Sequence, residues 1–212
     1  MDDKNKLALS EKKNIVFDVD GVFADMDGSY DKYIKHIIPD YSEEKYITDW
    51  GMPVVAKNYP EAFKIVQSLW VSADFIGKLN RFPKVVEGLK ELDKSIGRIA
   101  NFIVHTHIYE EGAVFDSREK WLEDLRKDSG MDFQIDISTG PHKSIKENTF
   151  ILVEDCVGNL QKSDADYKIL IRRCHNRKYS EKDLGKCKKS YVLPSFYDSV
   201  AVIKEIMNDE RS

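Results

Sequence analysis

The segment from Ile15 to Asp25, reading Ile-Val-Phe-Asp-Val-Asp-Gly-Val-Phe-Ala-Asp, constrains this chain more than any other. A β-branched apolar run ends in two carboxylates two residues apart, which describes a buried strand with chemistry at its tip. In a parallel α/β sheet the carboxyl ends of the strands open onto the ligand crevice. Asp18 and Asp20 therefore border that crevice, and Gly21 lets the backbone turn sharply away. Two adjacent carboxylates repel unless a cation lies between them or one takes a proton. The pair predicts a Mg²⁺ site, a nucleophile with an acid/base partner, or both.

With 212 residues, the chain has room for one sizeable core and a small insert. Its apolar fraction of 42% and charged fraction of 33% are those of a globular protein, and no apolar run approaches the roughly 18 residues needed to cross a bilayer. The first thirteen residues are charged and lack an apolar signal core, so a cytoplasmic location without membrane association is expected. Cys156, Cys174 and Cys187 are widely spaced, which argues against a disulfide framework and a structural zinc site.

Apolar periodicity gives the outline of the fold. Residues 14–19 read as a strand. Tyr30, Tyr33, Ile34, Ile37 and Ile38 then fall on one helical face that Pro39 ends, and a second helix runs over 61–70. From Pro83, placed as a first-turn proline, helix and strand alternate. Helices are expected over 83–97, 113–127 and 196–207, the last capped by Ser195, with strands over 102–104, 133–137, 150–153 and 167–171. Strands separated by helices imply right-handed crossovers and a parallel sheet covered on both faces. The expected architecture is a three-layer, Rossmann-like α/β core of residues 1–26 and 80–212. A small helical cap, residues 27–79, is inserted after the first strand, over the crevice.

Asp-x-Asp-Gly-x-x-Ala-Asp, from Asp18 to Asp25, resembles the first motif of the haloacid-dehalogenase superfamily. Three later segments match that superfamily's motifs in order: Thr106 in Ile-Val-His-Thr, Lys143 in Gly-Pro-His-Lys, and Glu154-Asp155 after the apolar run 150–153. Within the superfamily the chain is most similar to the 5′(3′)-deoxyribonucleotidases. They share the Asp-Gly-Val-x-Ala-Asp form, a small helical cap, a lysine some ten residues before the acidic pair, and a stretch like Cys174-His175-Asn176. The chain departs from them at His107, where a small hydroxyl residue is usual, and at Met26, where an aromatic residue is expected.

The resemblance implies a Mg²⁺-dependent phosphomonoesterase acting on (deoxy)nucleoside 5′-monophosphates. Asp18 would be nucleophile and metal ligand, Asp20 the acid/base and, through its backbone carbonyl, a ligand, and Asp155 a further ligand. Thr106, His107 and Lys143 would face the phosphate, with Glu154 orienting the groups around it. Lys146 competes with Lys143 for the phosphate role, and Asp25 reads as a cap near the hinge of the insert. Met26, Trp70 and Phe75 are the candidates for the substrate pocket.

Two features admit other readings. His105 and His107 share a strand face, but no third residue at metal-ligand spacing accompanies them. Residues 172–189 concentrate Arg172, Arg173, Arg177, Lys178, Lys182, Lys186, Lys188 and Lys189. That run could track a polynucleotide, making a polynucleotide end or another small phosphorylated metabolite the alternative substrate. Without interleaved aromatics it reads better as a solvated loop, and the net charge of −4 gives no global attraction to nucleic acid. The expected partner is thus a small phosphomonoester, with a homodimer left open. A non-catalytic phospholigand-binding module is the remaining alternative.

Overall fold

The protein is described by a computed structural model covering residues 12–139 and 148–210. Its centre is a six-stranded, all-parallel sheet in the order β3-β2-β1-β4-β5-β6. The strands are β1 (Lys13–Phe17), β2 (Ala100–Ile108), β3 (Gln134–Thr139), β4 (Ile151–Glu154), β5 (Tyr167–Ile171) and β6 (Lys189–Leu193). β1 lies between β2 and β4, pairing Phe17 with Val104 on one side and Val153 on the other. Strand order reverses there, and crevices for ligands open at such a point.

Both faces of the sheet are covered, which explains the unbroken apolar runs in β1 and β4. Ile15 and Phe17 enter a large cluster with Leu89, Leu92, Phe196 and Ile203. Val16 faces a second cluster with Leu152, Leu160 and Leu170. The turn beyond the strand is anchored as firmly as the strand itself. Phe23 is fully buried, with its ring edge-on to Phe196 at 4.8 Å.

Six short helices follow β1: α1 (Met26–Ser29), α2 (Asp31–Ile34), α3 (Glu43–Tyr46), α4 (Pro53–Asn58), α5 (Pro60–Trp70) and α6 (Ala73–Gly77). The stripe expected to make one helix over 30–38 is divided between α2 and the turns on either side of it. Ile38 precedes Pro39, whose ring disfavours helical backbone in the residue before it. Ile34, Ile38, Val55 and Val66 belong to the same cluster as Phe17, so the insert and the sheet share one apolar core.

The remaining helices are α7 (Val85–Ile96), α8 (Ala113–Ser129), α9 (Val157–Lys162) and α10 (Phe196–Asp209). Ser195 caps α10 as expected, its Oγ accepting from the Asp198 N–H at 3.2 Å. Pro83 lies ahead of α7 rather than in its first turn, because Lys84 takes a left-handed conformation at φ +62° and the helix starts after it. The sequence pattern shows neither β6 nor α9. β6 is an edge strand headed by Lys189 and offers only a half-buried face, while α9 is six residues long and buries only Val157 and Leu160. Among the described residues, no helix is long and apolar enough to cross a membrane.

Candidate active site

The pairing of β1 with β4 sets the geometry of the site. The Asp18 N–H donates to the Val153 carbonyl at 2.9 Å, so the first carboxylate of β1 emerges beside Glu154 and Asp155 at the end of β4. All three acids are buried, and one ligand oxygen from each lies within 4.8 Å of the others. Among the described residues this is the one group of three acidic, histidine or cysteine side chains that could hold a metal ion.

Burial, then the charges of Glu154 and Asp18, push the Asp155 carboxyl well above the usual carboxylate range. Its Oδ1 is buried with no hydrogen-bond partner among the described residues. An orphaned carboxylate oxygen facing two further carboxylates is a donor set for a hard divalent cation, which takes oxygen ligands. Mg²⁺ therefore fits the residues present.

Neighbouring elements hold these acids in place. Glu154 Oε1 accepts from the N–H groups of Asp155 and Cys156, both at 3.2 Å, and Oε2 accepts from Asn159 Nδ2 at 3.1 Å. Glu154 is thus anchored by the first turn of α9 while also facing the other two acids. Asn176 Nδ2 donates to the Asp155 carbonyl at 2.8 Å. His175 Nε2 lies 3.4 Å from Asp155 Oδ2, with its Nδ1 3.5 Å from Asp27 Oδ2. Gly21, at φ +78°, leaves no room for a side chain: a Cβ there would lie 1.7 Å from Asp155 Oδ2.

Asp20 turns elsewhere. Both its oxygens accept from Arg118 Nη2 on α8, at 2.8 and 2.9 Å. Its side chain is therefore no member of the acidic trio, and only its backbone carbonyl stays available for the ligand role expected of it.

A cavity of about 280 Å³ opens over these groups. Its floor includes Asp18, Asp20, Arg118, Glu154 and Asp155, and its insert side carries Met26, Tyr30, Trp50 and Trp70. Trp70 stacks on Tyr109 at 5.9 Å and donates from Nε1 to the Tyr30 hydroxyl at 2.7 Å. Trp50, 58% exposed, lies edge-on to His175.

The predicted site residues separate into groups. Asp18, Asp20, Glu154, Asp155, His107, Met26 and Trp70 line the cavity. Phe75 lies behind the lining, stacked on Tyr30 at 5.9 Å. Thr106 is fully buried and is not a lining residue. β2 continues to Ile108 against Thr139, which places Thr106 inside the strand instead of at its tip. Its hydroxyl has no hydrogen-bond partner among the described residues. Lys143 and Lys146 lie outside the described residues. His105 pairs with Asp136 across β2 and β3 at 2.5 Å. Asp25 caps α1, its Oδ1 accepting from Gly28 N–H at 2.9 Å, as the sequence suggests.

Two residues that line the cavity, Arg118 and Arg173, escape the sequence reading. Arg118 sits in a helix dense with charge, and nothing in its spacing separates it from solvated neighbours. Arg173, expected in a basic run, turns inward. Its Nε donates to the Gly21 carbonyl at 2.6 Å, and its guanidinium lies 3.9 Å from the centre of the Phe82 ring. Arg172 Nη1 likewise donates to the carbonyls of Asn176 and Tyr179, and Lys178 and Lys188 pair with acids. Much of the basic run is therefore engaged within the protein.

No protein-family model matches the chain, and no curated protein matches it significantly. Among solved structures it is similar to an L-2-haloacid dehalogenase from Xanthobacter autotrophicus, at 13% identity over 92% of this chain and 99% of that one, with a TM-score of 0.51. It is also similar to a candidate β-phosphoglucomutase from Bacteroides vulgatus, at 13% identity over 93% and 89%, with a TM-score of 0.52. A candidate haloacid dehalogenase-like hydrolase from Burkholderia xenovorans gives 11% identity over 89% and 97%, with a TM-score of 0.50. The six-stranded parallel sheet, its helical layers and the strand-tip acids thus stand on the fold of the haloacid dehalogenase-like hydrolases.

Proposed function

We propose that this protein is a Mg²⁺-dependent phosphomonoesterase that hydrolyses (deoxy)nucleoside 5′-monophosphates through an aspartyl-phosphate on Asp18. The observation that carries the reading is the meeting of Asp18, Glu154 and Asp155 at the tips of adjacent strands, with Asp155 Oδ1 left for a ligand.

Asp18 and Asp155, with the Asp20 backbone carbonyl, would hold the cation, and Glu154 would fix Asp155 from behind. Bound there, Mg²⁺ supplies the positive charge that lets an anionic nucleophile approach a phosphate dianion. Asp18 then forms an oxygen–phosphorus bond as the ester bond breaks, and Asp20 gives its proton to the departing alkoxide. In the second half, water attacks phosphorus and yields its proton to Asp20, and the bond to Asp18 breaks. Asp18 is restored as a carboxylate and Asp20 as the protonated acid, and inorganic phosphate is released. A cavity of about 280 Å³ suits one small ester, and its rings at Tyr30, Trp50, Trp70 and Tyr109 offer faces for a nucleobase.

A phosphate-release screen tests the reading, using ribo- and deoxyribonucleoside monophosphates, sugar phosphates and a 3′-phosphorylated oligonucleotide, with and without Mg²⁺. Hydrolysis of the 5′-mononucleotides should require Mg²⁺. Asp18→Asn should fold normally and lose activity by about 10³-fold or more. Retained turnover in that variant would overturn the mechanism, and preference for another ester would overturn the substrate.

A further inference from the structure

Among the described residues, Arg118 is the largest side chain with no solvent exposure. Its Nη2 serves both oxygens of Asp20, while its Nε and Nη1 have no hydrogen-bond partner among the described residues. A guanidinium carries five N–H donors, and burying a charge with most of them unmatched is costly. An apolar residue of similar length would fill the same space in α8 without that cost. Packing therefore gives no reason for an arginine here. What arginine alone adds is a fixed cation against the Asp20 carboxylate.

The element that presents Arg118 is itself immobilised. One turn further along α8, Trp121 donates from Nε1 to the Leu79 carbonyl at 2.9 Å, and the Arg118 guanidinium lies 6.0 Å from the centre of the Trp121 ring. The residue before Arg118, Ser117, faces Gly77, so α8 is pinned against the end of the insert. The Asp20 side chain, 22% exposed at the cavity wall, would otherwise have several rotamers open to it.

We propose that Arg118 is a positioning residue for Asp20, holding that carboxylate in the one orientation from which it can pass a proton to the leaving oxygen. The inference rests on the phosphomonoesterase reading. It assigns Arg118 no contact with substrate. Its effect is confined to steps that need the Asp20 proton, and that confinement makes it testable. An alkoxide leaving from a nucleotide must be protonated as the ester bond breaks, whereas p-nitrophenolate, a far weaker base, leaves without a proton.

The test compares kcat/KM for a nucleoside 5′-monophosphate and for p-nitrophenyl phosphate in wild-type protein, Arg118→Met and Arg118→Lys, because kcat/KM reports the step in which the ester bond breaks. Arg118→Met should lose about 10²-fold or more on the nucleotide and less than about 10-fold on the aryl ester. Arg118→Lys keeps a cation but not the fork. It should fall between wild type and Arg118→Met with the same ordering, and it carries the test if the Met variant does not fold. Equal losses on both esters, or no loss on either, would overturn the inference and leave the phosphomonoesterase reading standing. Wild-type protein inactive on both esters would overturn the reading, and the inference with it.

Discussion

Asp18 and Asp20 leave the same strand tip two residues apart, yet the first turns to Glu154 and Asp155 and the second to Arg118. On the Asp18 side the register of β1 with β4 gathers three buried carboxylates, with Arg173 within electrostatic reach of Asp155. On the Asp20 side the cation is part of the chain, delivered by α8. The contrast suits the chemistry. In the proposed mechanism the nucleophile must meet an exchangeable ligand and a substrate, which the gathered carboxylates of Asp18, Glu154 and Asp155 suit. An acid/base group has to return to one place in every cycle, so its counter-charge is built in.

The Asp18 side should break most easily at Gly21. Its backbone, at φ +78°, is in a region that L side chains rarely adopt, and a Cβ would lie 1.7 Å from Asp155 Oδ2. Gly21→Ala must therefore strain the turn and displace Asp155 together. The expected cost is about 4 kcal/mol in stability, from backbone strain and overpacking combined. On the proposed reading Mg²⁺ should stabilise the wild-type protein in a thermal melt, and that response should disappear in the variant. A variant that melts like wild type and still responds to Mg²⁺ would show that the turn and Asp155 are not coupled in this way.

Substituting each acid in turn separates the two sides by sign. Asp20→Ala leaves Arg118 buried without its partner and should destabilise the protein by about 2–3 kcal/mol, less than a fully buried pair because Asp20 is partly exposed. Asp18→Asn, measured in a chelator, removes one of the charges that push Asp155 upward and should raise the melting temperature. Melts of the two variants that shift in the same direction would erase the distinction between the sides.

How much of this was legible in the sequence follows from how far apart the cooperating residues lie. Asp18, Asp20 and Gly21 are contiguous, and a strand, a turn and two acids can be read from a few letters. Glu154-Asp155 ends an apolar run and can be recognised on its own. Arg118, by contrast, shares a stretch with Asp116, Glu119, Lys120 and Asp124, and only the packing of α8 distinguishes it. Thr106 shows the converse. Its place near the end of an apolar run suggests a strand tip, but pairing with β3 extends β2 past it. The alternating residues of β6 are visible in retrospect, yet a basic flank and an edge position leave them without the apolar contrast that marks a central strand.

The smallest expected effect concerns a carboxylate on the insert side of the cavity. Burial, then the charges of Asp25, Asp27, Glu44 and Asp31, raise the Glu43 pKa to about 7, and Arg173 also lies within electrostatic reach. Between pH 4.5, where this group ordinarily titrates, and pH 7, the folded protein holds a proton that the unfolded chain has released. The linkage sign is therefore negative, and this group's contribution to stability falls as pH rises through that window. Solvent screening at a half-buried site keeps the effect to about 1 kcal/mol. Glu43→Gln should flatten the decline between pH 4.5 and 7 and leave the curve below pH 4.5 unchanged. A Glu43→Gln stability curve that declines as steeply as the wild-type curve over that window would show that this carboxyl does not couple to folding in this way.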